Sequence, residues 1–162
     1  MKRSQVNSII KLLKSKDLEF RPALQKMFVQ DGYMWASDGY IALEIGEFGG
    51  DYANKCCTLN HLKEWYATHS KKEDMLSKDD FVKNEDSTPA MTQLLHVEFE
   101  PATDIKLDID KLKLCCDFLG IKMFSLEQAT KNKHLYRIKP LEDLDIMVSA
   151  MGSKAYIMGL KW

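Results

Sequence analysis

Apolar residues recur at three- and four-residue intervals near the start of the chain and at two-residue intervals soon after. Over 4–15, Val6, Ile9, Ile10 and Leu13 fall on one side of a helix and Lys11 and Lys14 on the other, with Ser4 placed to cap it. Between 24 and 46 the period changes to two. Ile41, Leu43 and Ile45 alternate with Tyr40, Ala42 and Glu44, and the run is punctuated by Asp31-Gly32 and Asp38-Gly39. Asp-Gly supplies the positive φ angles that tight hairpin turns need. The segment predicts a three-stranded antiparallel meander.

A further strand is expected within 47–58, ending at Cys56-Cys57-Thr58. Leu59, Leu62, Trp65 and Tyr66 then share one face of a helix over 59–69. The stretch 70–92 is polar, weakly periodic and contains Ser87-Thr88-Pro89, so it reads as a long surface loop. Strands are expected at 96–100, before a turn at Pro101, and at 105–109. A helix follows over 110–119, with Leu112, Cys115, Cys116 and Leu119 inward and Gly120 as its C-terminal cap. Strands at 122–126, 134–138, 144–149 and 155–161 complete the chain, the last hairpin turning at Met151-Gly152-Ser153. Both halves run helix-then-antiparallel-strands, a repeat of architecture and not of sequence.

Composition narrows the class. The chain has 162 residues, 45 % hydrophobic and 29 % charged, enough to bury a sizeable core and too apolar for wholesale disorder. No apolar run approaches the roughly 20 residues that span a bilayer, and no signal-peptide core follows the first residues. The expectation is a cytoplasmic protein with no membrane contact. Net charge is −1, so the whole molecule is not an obvious nucleic-acid binder by bulk electrostatics. Charge is unevenly distributed, however: residues 2–26 hold seven Lys or Arg against Asp17 and Glu19.

Candidate chemistry is sparse. The cysteines form two adjacent pairs, Cys56-Cys57 and Cys115-Cys116, without the spacing of metal ligands. They read as buried free thiols in a reducing compartment. His61 and Glu64 lie in His-Leu-Lys-Glu-Trp, which is not a zinc-protease signature, and His69, His96 and His134 add no ligand spacing. Asp104, Asp108 and Asp110 fit Mg²⁺ binding in a small nuclease, although strand ends and helix caps also place Asp there. No Gly-rich phosphate loop and no nucleophile motif is present. The expectation is a protein without catalytic residues, cofactor or metal, the metal-dependent nuclease standing as one alternative.

Three segments resemble bacterial DNA sliding clamps, the processivity subunits of replicative polymerases. Trp35-Ala-Ser-Asp-Gly-Tyr-Ile-Ala-Leu43 is similar to the clamps' Ala-Thr-Asp-Gly-His-Arg-Leu-Ala. Tyr156-Ile-Met-Gly-Leu-Lys-Trp162 is similar to their closing Tyr-Val-Val-Met-Pro-Met-Arg-Leu, and Arg21-Pro-Ala-Leu24 to the Arg-Pro-x-Leu after their first helix. The resemblance covers 4–58 and 94–162. It implies an α+β, clamp-like single domain over 1–162, with antiparallel sheets, two main helices and an inserted helix within an insertion at about 59–92. The chain departs from the family in having room for one domain where clamps have two or three, and in Tyr40-Ile41 after Asp38-Gly39 where clamps carry Arg.

What the resemblance implies is a non-catalytic accessory of DNA replication or repair, of the kind a phage or mobile element encodes. Lys11, Lys14, Arg21, Lys111 and Lys113 would meet the phosphates of double-stranded DNA. Ser37, Gly39, Tyr40, Ile41, Ile157, Met158 and Leu160 would hold a peptide of a polymerase or other replication protein. These two strands would meet only across a subunit boundary, and a homo-oligomer would close through edge strands. The alternative is an interaction module or regulator that binds a replication protein without encircling DNA.

Overall fold

The protein is described by a computed structural model over residues 1–47, 52–71, 74–87, 89–141 and 152–159. The first helix, α1, spans Arg3–Leu13 and buries Val6, Ile9, Ile10 and Leu13 as their spacing predicts. Its N-cap is Lys2 and not Ser4. Lys2 bridges to Met75, and Leu76 N–H donates to the carbonyl of the buried Met1, so the cap falls two positions early.

The meander forms as expected: β1 (Lys26–Gln30), β2 (Tyr33–Ser37) and β3 (Ile41–Glu47), joined at the two Asp-Gly turns. β4 (Lys55–Thr58) pairs with β1, and Thr58 caps α2 (Leu59–Thr68) by accepting His61 N–H. The stretch expected to be a surface loop is more structured. Leu76 and Phe81 are buried, β5 (Val82–Lys83) pairs with β4, and Met91–His96 forms a 3-10 segment. The expected strand at 96–100 is β6 (Phe99–Pro101). That at 105–109 is absent because Asp108 accepts the N–H groups of Asp110 and Lys111 and starts α3 (Ile109–Leu119) instead. Gly120, left-handed at φ 72°, ends it. β7 (Phe124–Ala129), β8 (Leu135–Pro140) and β9 (Ser153–Met158) follow. The strand expected over 144–149 lies outside the described residues, as does Met151 of the expected last hairpin.

The described strands form one antiparallel sheet of nine, not separate sheets, with three main helices of similar length in place of two and an insert. Its order is β5-β4-β1-β2-β3-β9-β8-β7-β6. Outward from the β3–β9 seam, each side is a three-stranded meander preceded by a helix; β4 and β5 flank the first meander and β6 the second. α1 and α3 pack together. The order of the two meanders, β1-β2-β3 and β9-β8-β7, is symmetric about the seam, in line with the architectural repeat read from the chain. Ile41, Leu43 and Ile45 are buried on the helix side of β3. Tyr156, opposite Ala42, takes the other side, where its ring lies 6.3 Å from Trp35 and 6.1 Å from Phe99.

Candidate functional site: a groove at the central seam

The turn between β2 and β3 is over-determined by hydrogen bonds. Asp38 is only 2 % exposed. Its Oδ1 accepts the N–H of Tyr40 at 2.8 Å and of Ile41 at 2.7 Å. Its Oδ2 takes the Lys111 ammonium at 3.0 Å, and its carbonyl accepts from Arg21 Nη1 at 3.0 Å. Ser37 Oγ donates to Ile41 O and accepts Gly39 N–H. Gly39 has a φ of +89°, and a Cβ there would sit 1.6 Å from Arg21 Nη1. The positive φ favours glycine here, and the flexible Arg21 guanidinium fills the space a side chain would take.

The turn is one lip of an apolar groove of about 260 Å³. Ser37, Gly39, Tyr40, Ile41, Ile157 and Met158 all line it. Leu160, the seventh residue implied by the resemblance, lies outside the described residues. The expectation that the two segments meet only between subunits is corrected. β3 and β9 are hydrogen-bonded neighbours of one chain, with Ile41 opposite Ile157, and Met158 N–H donates to Tyr40 O at 2.7 Å.

The far wall was not legible in the sequence. It is residues 89–94, with Pro89, Met91 and Leu94 facing the strands. Gln30 Oε1 holds this wall by accepting the N–H of Met91 at 2.8 Å and of Thr92 at 3.2 Å. The spacing of Met91, Leu94 and Leu95 was the available signal, set within a stretch whose polarity suggested a loop. A volume of 260 Å³ is below the ~300–1,000 Å³ usual for small-molecule sites and under twice the ~150 Å³ cavity that admits a benzene ring. It suits one or two apolar side chains better than a cofactor.

Of the five cations, Lys11 and Lys111 line one depression between α1 and α3, together with Asp38, Asp108 and Asp110. Arg21 lies over the Asp38-Gly39 turn, its guanidinium 5.5 Å from the Tyr40 ring. Lys111 is ion-paired with Asp38, and its ammonium is 4.4 Å from the same ring. Lys11 and Lys14 are exposed on α1. Lys113 is exposed on α3 beside the equally exposed Asp110 and Asp117, so the outward charge of that helix is mixed.

The remaining candidates have structural occupations. Asp108 caps α3, and Asp104 faces Lys106 at 3.5 Å. His61 contacts its own N-cap Thr58, and His69 stacks on Trp65. Among the described residues no group of three or more His, Cys, Asp or Glu is placed to hold a metal ion. The cysteines are free thiols, three of them buried. Burial pushes Cys57 up to about 12 and raises Cys115 as well, so neither is a ready nucleophile. On the groove side of the sheet, the buried Glu44 accepts from Tyr156 OH and Lys154 Nζ, each at 2.9 Å. Burial first, then the Glu44 charge, raises the Tyr156 phenol and keeps it a donor.

Both sheet edges are short. β5 has two residues, and β6 has three and ends in Pro101, features that disfavour pairing with another chain. No described helix is long and apolar enough to cross a membrane. The chain matches no family model, no curated protein and no solved structure.

Proposed function

We propose that this protein is a non-catalytic, clamp-related interaction module of DNA replication or repair, and that the seam groove captures a short apolar segment of a polymerase or other replication protein. One observation carries the reading. The two strands singled out by their clamp-like sequences pair in register, Ile41 to Ile157, and their residues line one apolar groove. The symmetric order of the two meanders, each preceded by a helix, supports the clamp relationship independently. Tyr40 and the flexible Met158 and Met91 suit a surface that adapts to an apolar anchor.

The module reading is favoured over a DNA-encircling ring by the charges. Arg21 and Lys111 are engaged at the Asp38 turn, α3 presents mixed charge, and both sheet edges are blunted. Lys11 and Lys14 sustain DNA contact as a second reading.

Fluorescence anisotropy tests the groove directly. Labelled peptides tiling the ends of the host's replicative polymerase and repair proteins are titrated against the wild type and against Met158→Glu. Binding by at least one peptide, weakened about a hundredfold by a carboxylate in the groove, is expected. Binding that Met158→Glu leaves unchanged removes the groove as the site. Mass by light scattering across a concentration range, with duplex DNA added, separates the two readings: a closed oligomer on DNA would reinstate the ring.

A further inference from the structure

The basic excess of residues 2–26 has a destination the groove does not use. Lys14, Lys16 and Lys26 converge on a second cavity, of about 600 Å³, bounded by the end of α1, the turn through Leu18 and Pro22, and the start of α2. That volume lies within the range of small-molecule sites. It shares no lining residue with the groove.

Lys26 is unusual among these lysines. It lies on β1 with its side chain only 8 % exposed. A buried ammonium needs an anion and hydrogen-bond acceptors, or its desolvation goes uncompensated. Its acceptors come from a single short stretch: Asn84 Oδ1 at 2.6 Å, and the carboxylate of Asp86. Asp86 is 70 % exposed, and it lines the cavity with the lysines. A water-exposed carboxylate gains little from such a pair, whereas the lysine depends on it.

We propose that this cavity binds a phosphate group, and that Asp86 occupies the ligand's place at Lys26. A carboxylate carries one charge and meets one lysine here. A phosphate carries up to two charges and has oxygens on several sides, so it can take Lys26 while Lys14 and Lys16, both exposed at the mouth, close on it. Glu19, also on the wall, is the opposing charge, set against three lysines. The phosphate displaces Asp86 into water, where a carboxylate is well solvated, and the buried ammonium is never left without an anion.

The test uses the full chain. Inorganic phosphate is titrated at constant ionic strength, with chloride as the reference salt, and binding is followed by amide NMR shifts at Lys26 and its neighbours. Asp86→Asn alters an exposed side chain and removes the competing charge. Phosphate should bind it about tenfold more tightly than the wild type, the weight of one charge-assisted contact. Lys14→Glu/Lys16→Glu, two surface changes, should weaken binding by about tenfold or more. An Asp86→Asn protein that is merely less stable and binds phosphate no better overturns the proposal. So does a lysine double variant that binds like the wild type. A short duplex DNA in a parallel titration identifies the source. If DNA binding depends on the same lysines, the phosphate is that of a nucleic-acid backbone. If DNA is ignored while inorganic phosphate binds, the site serves a small phosphorylated molecule.

Discussion

Asp38 Oδ2 lies 3.0 Å from Lys111 Nζ, and this pair ties the turn at the groove's lip to α3, on the opposite side of the sheet. The carboxylate is almost wholly buried and the ammonium partly so. Removing the lysine leaves the buried charge without its counter-ion, whereas Asp38→Asn leaves a cation that can still reach water. Lys111→Met should therefore cost about 3 kcal/mol, and Asp38→Asn somewhat less. Urea unfolding of the two variants measures the order. Equal, small losses would mean that the turn's backbone hydrogen bonds hold it without the pair.

At the neighbouring residue, Gly39→Ala meets two obstacles: the positive φ and the Arg21 guanidinium. Their sum should destabilise by about 2 kcal/mol. Arg21 is long and can swing away, so only the conformational part should persist when it is shortened. In an Arg21→Ala background the same substitution should cost about 1 kcal/mol, and the double-mutant cycle gives the coupling. Identical costs in both backgrounds would assign the whole effect to φ.

These turn residues were legible because their signals are local. Asp38-Gly39 and the alternation about Ile41 state a hairpin without reference to the rest of the chain, and Tyr156-Ile157-Met158 states its partner strand. That the two strands are neighbours in one chain is a property of the sheet order, which local periodicity does not contain. Ile105, Leu107 and Ile109 alternate like a strand, yet Asp108 caps a helix there, so two local signals competed and the cap prevailed. Leu76 and Phe81 are isolated apolar residues in a charged stretch, and their burial depends on α1 and β4, distant in sequence. Lys26 shows the same limit from the other side: nothing local marks a strand lysine as buried.

Alkaline pH should unfold the protein through groups kept protonated by burial. Cys57 titrates at about 12 in the folded chain against 9.0 for an exposed thiol. A raised folded pKa stabilises fully below 9 and loses that contribution as pH rises from 9 to 12. The loss is about 1.4 kcal/mol per pH unit in that window. Tyr156, also raised, adds to the slope above its ordinary value of 10.0. Unfolding free energies measured from pH 8 to 11 should therefore fall more steeply for the wild type than for Cys57→Ala. Parallel curves would mean that the thiol ionises as freely in the folded state as in the unfolded one.

The groove's far wall should prove the least stable part of the site. Residues 89–94 follow an exposed stretch and are fastened to the sheet by Gln30, whose Oε1 accepts two successive backbone N–H groups, those of Met91 and Thr92. Gln30 is the half-buried last residue of β1. Gln30→Ala removes the acceptor that the two N–H groups share, leaving Met91 N–H only the Pro89 carbonyl, so the wall should open locally while the sheet holds. One hydrogen bond lost outright and one shared, about 1–2 kcal/mol together, correspond to roughly a five- to thirtyfold rise in opening. Amide exchange at Met91 and Thr92 should accelerate by that order, with exchange in β2 and β3 nearly unchanged. A uniform acceleration across the sheet would show that the wall and the sheet open together, and the groove would then be a fixed cleft with no wall that yields to an incoming segment.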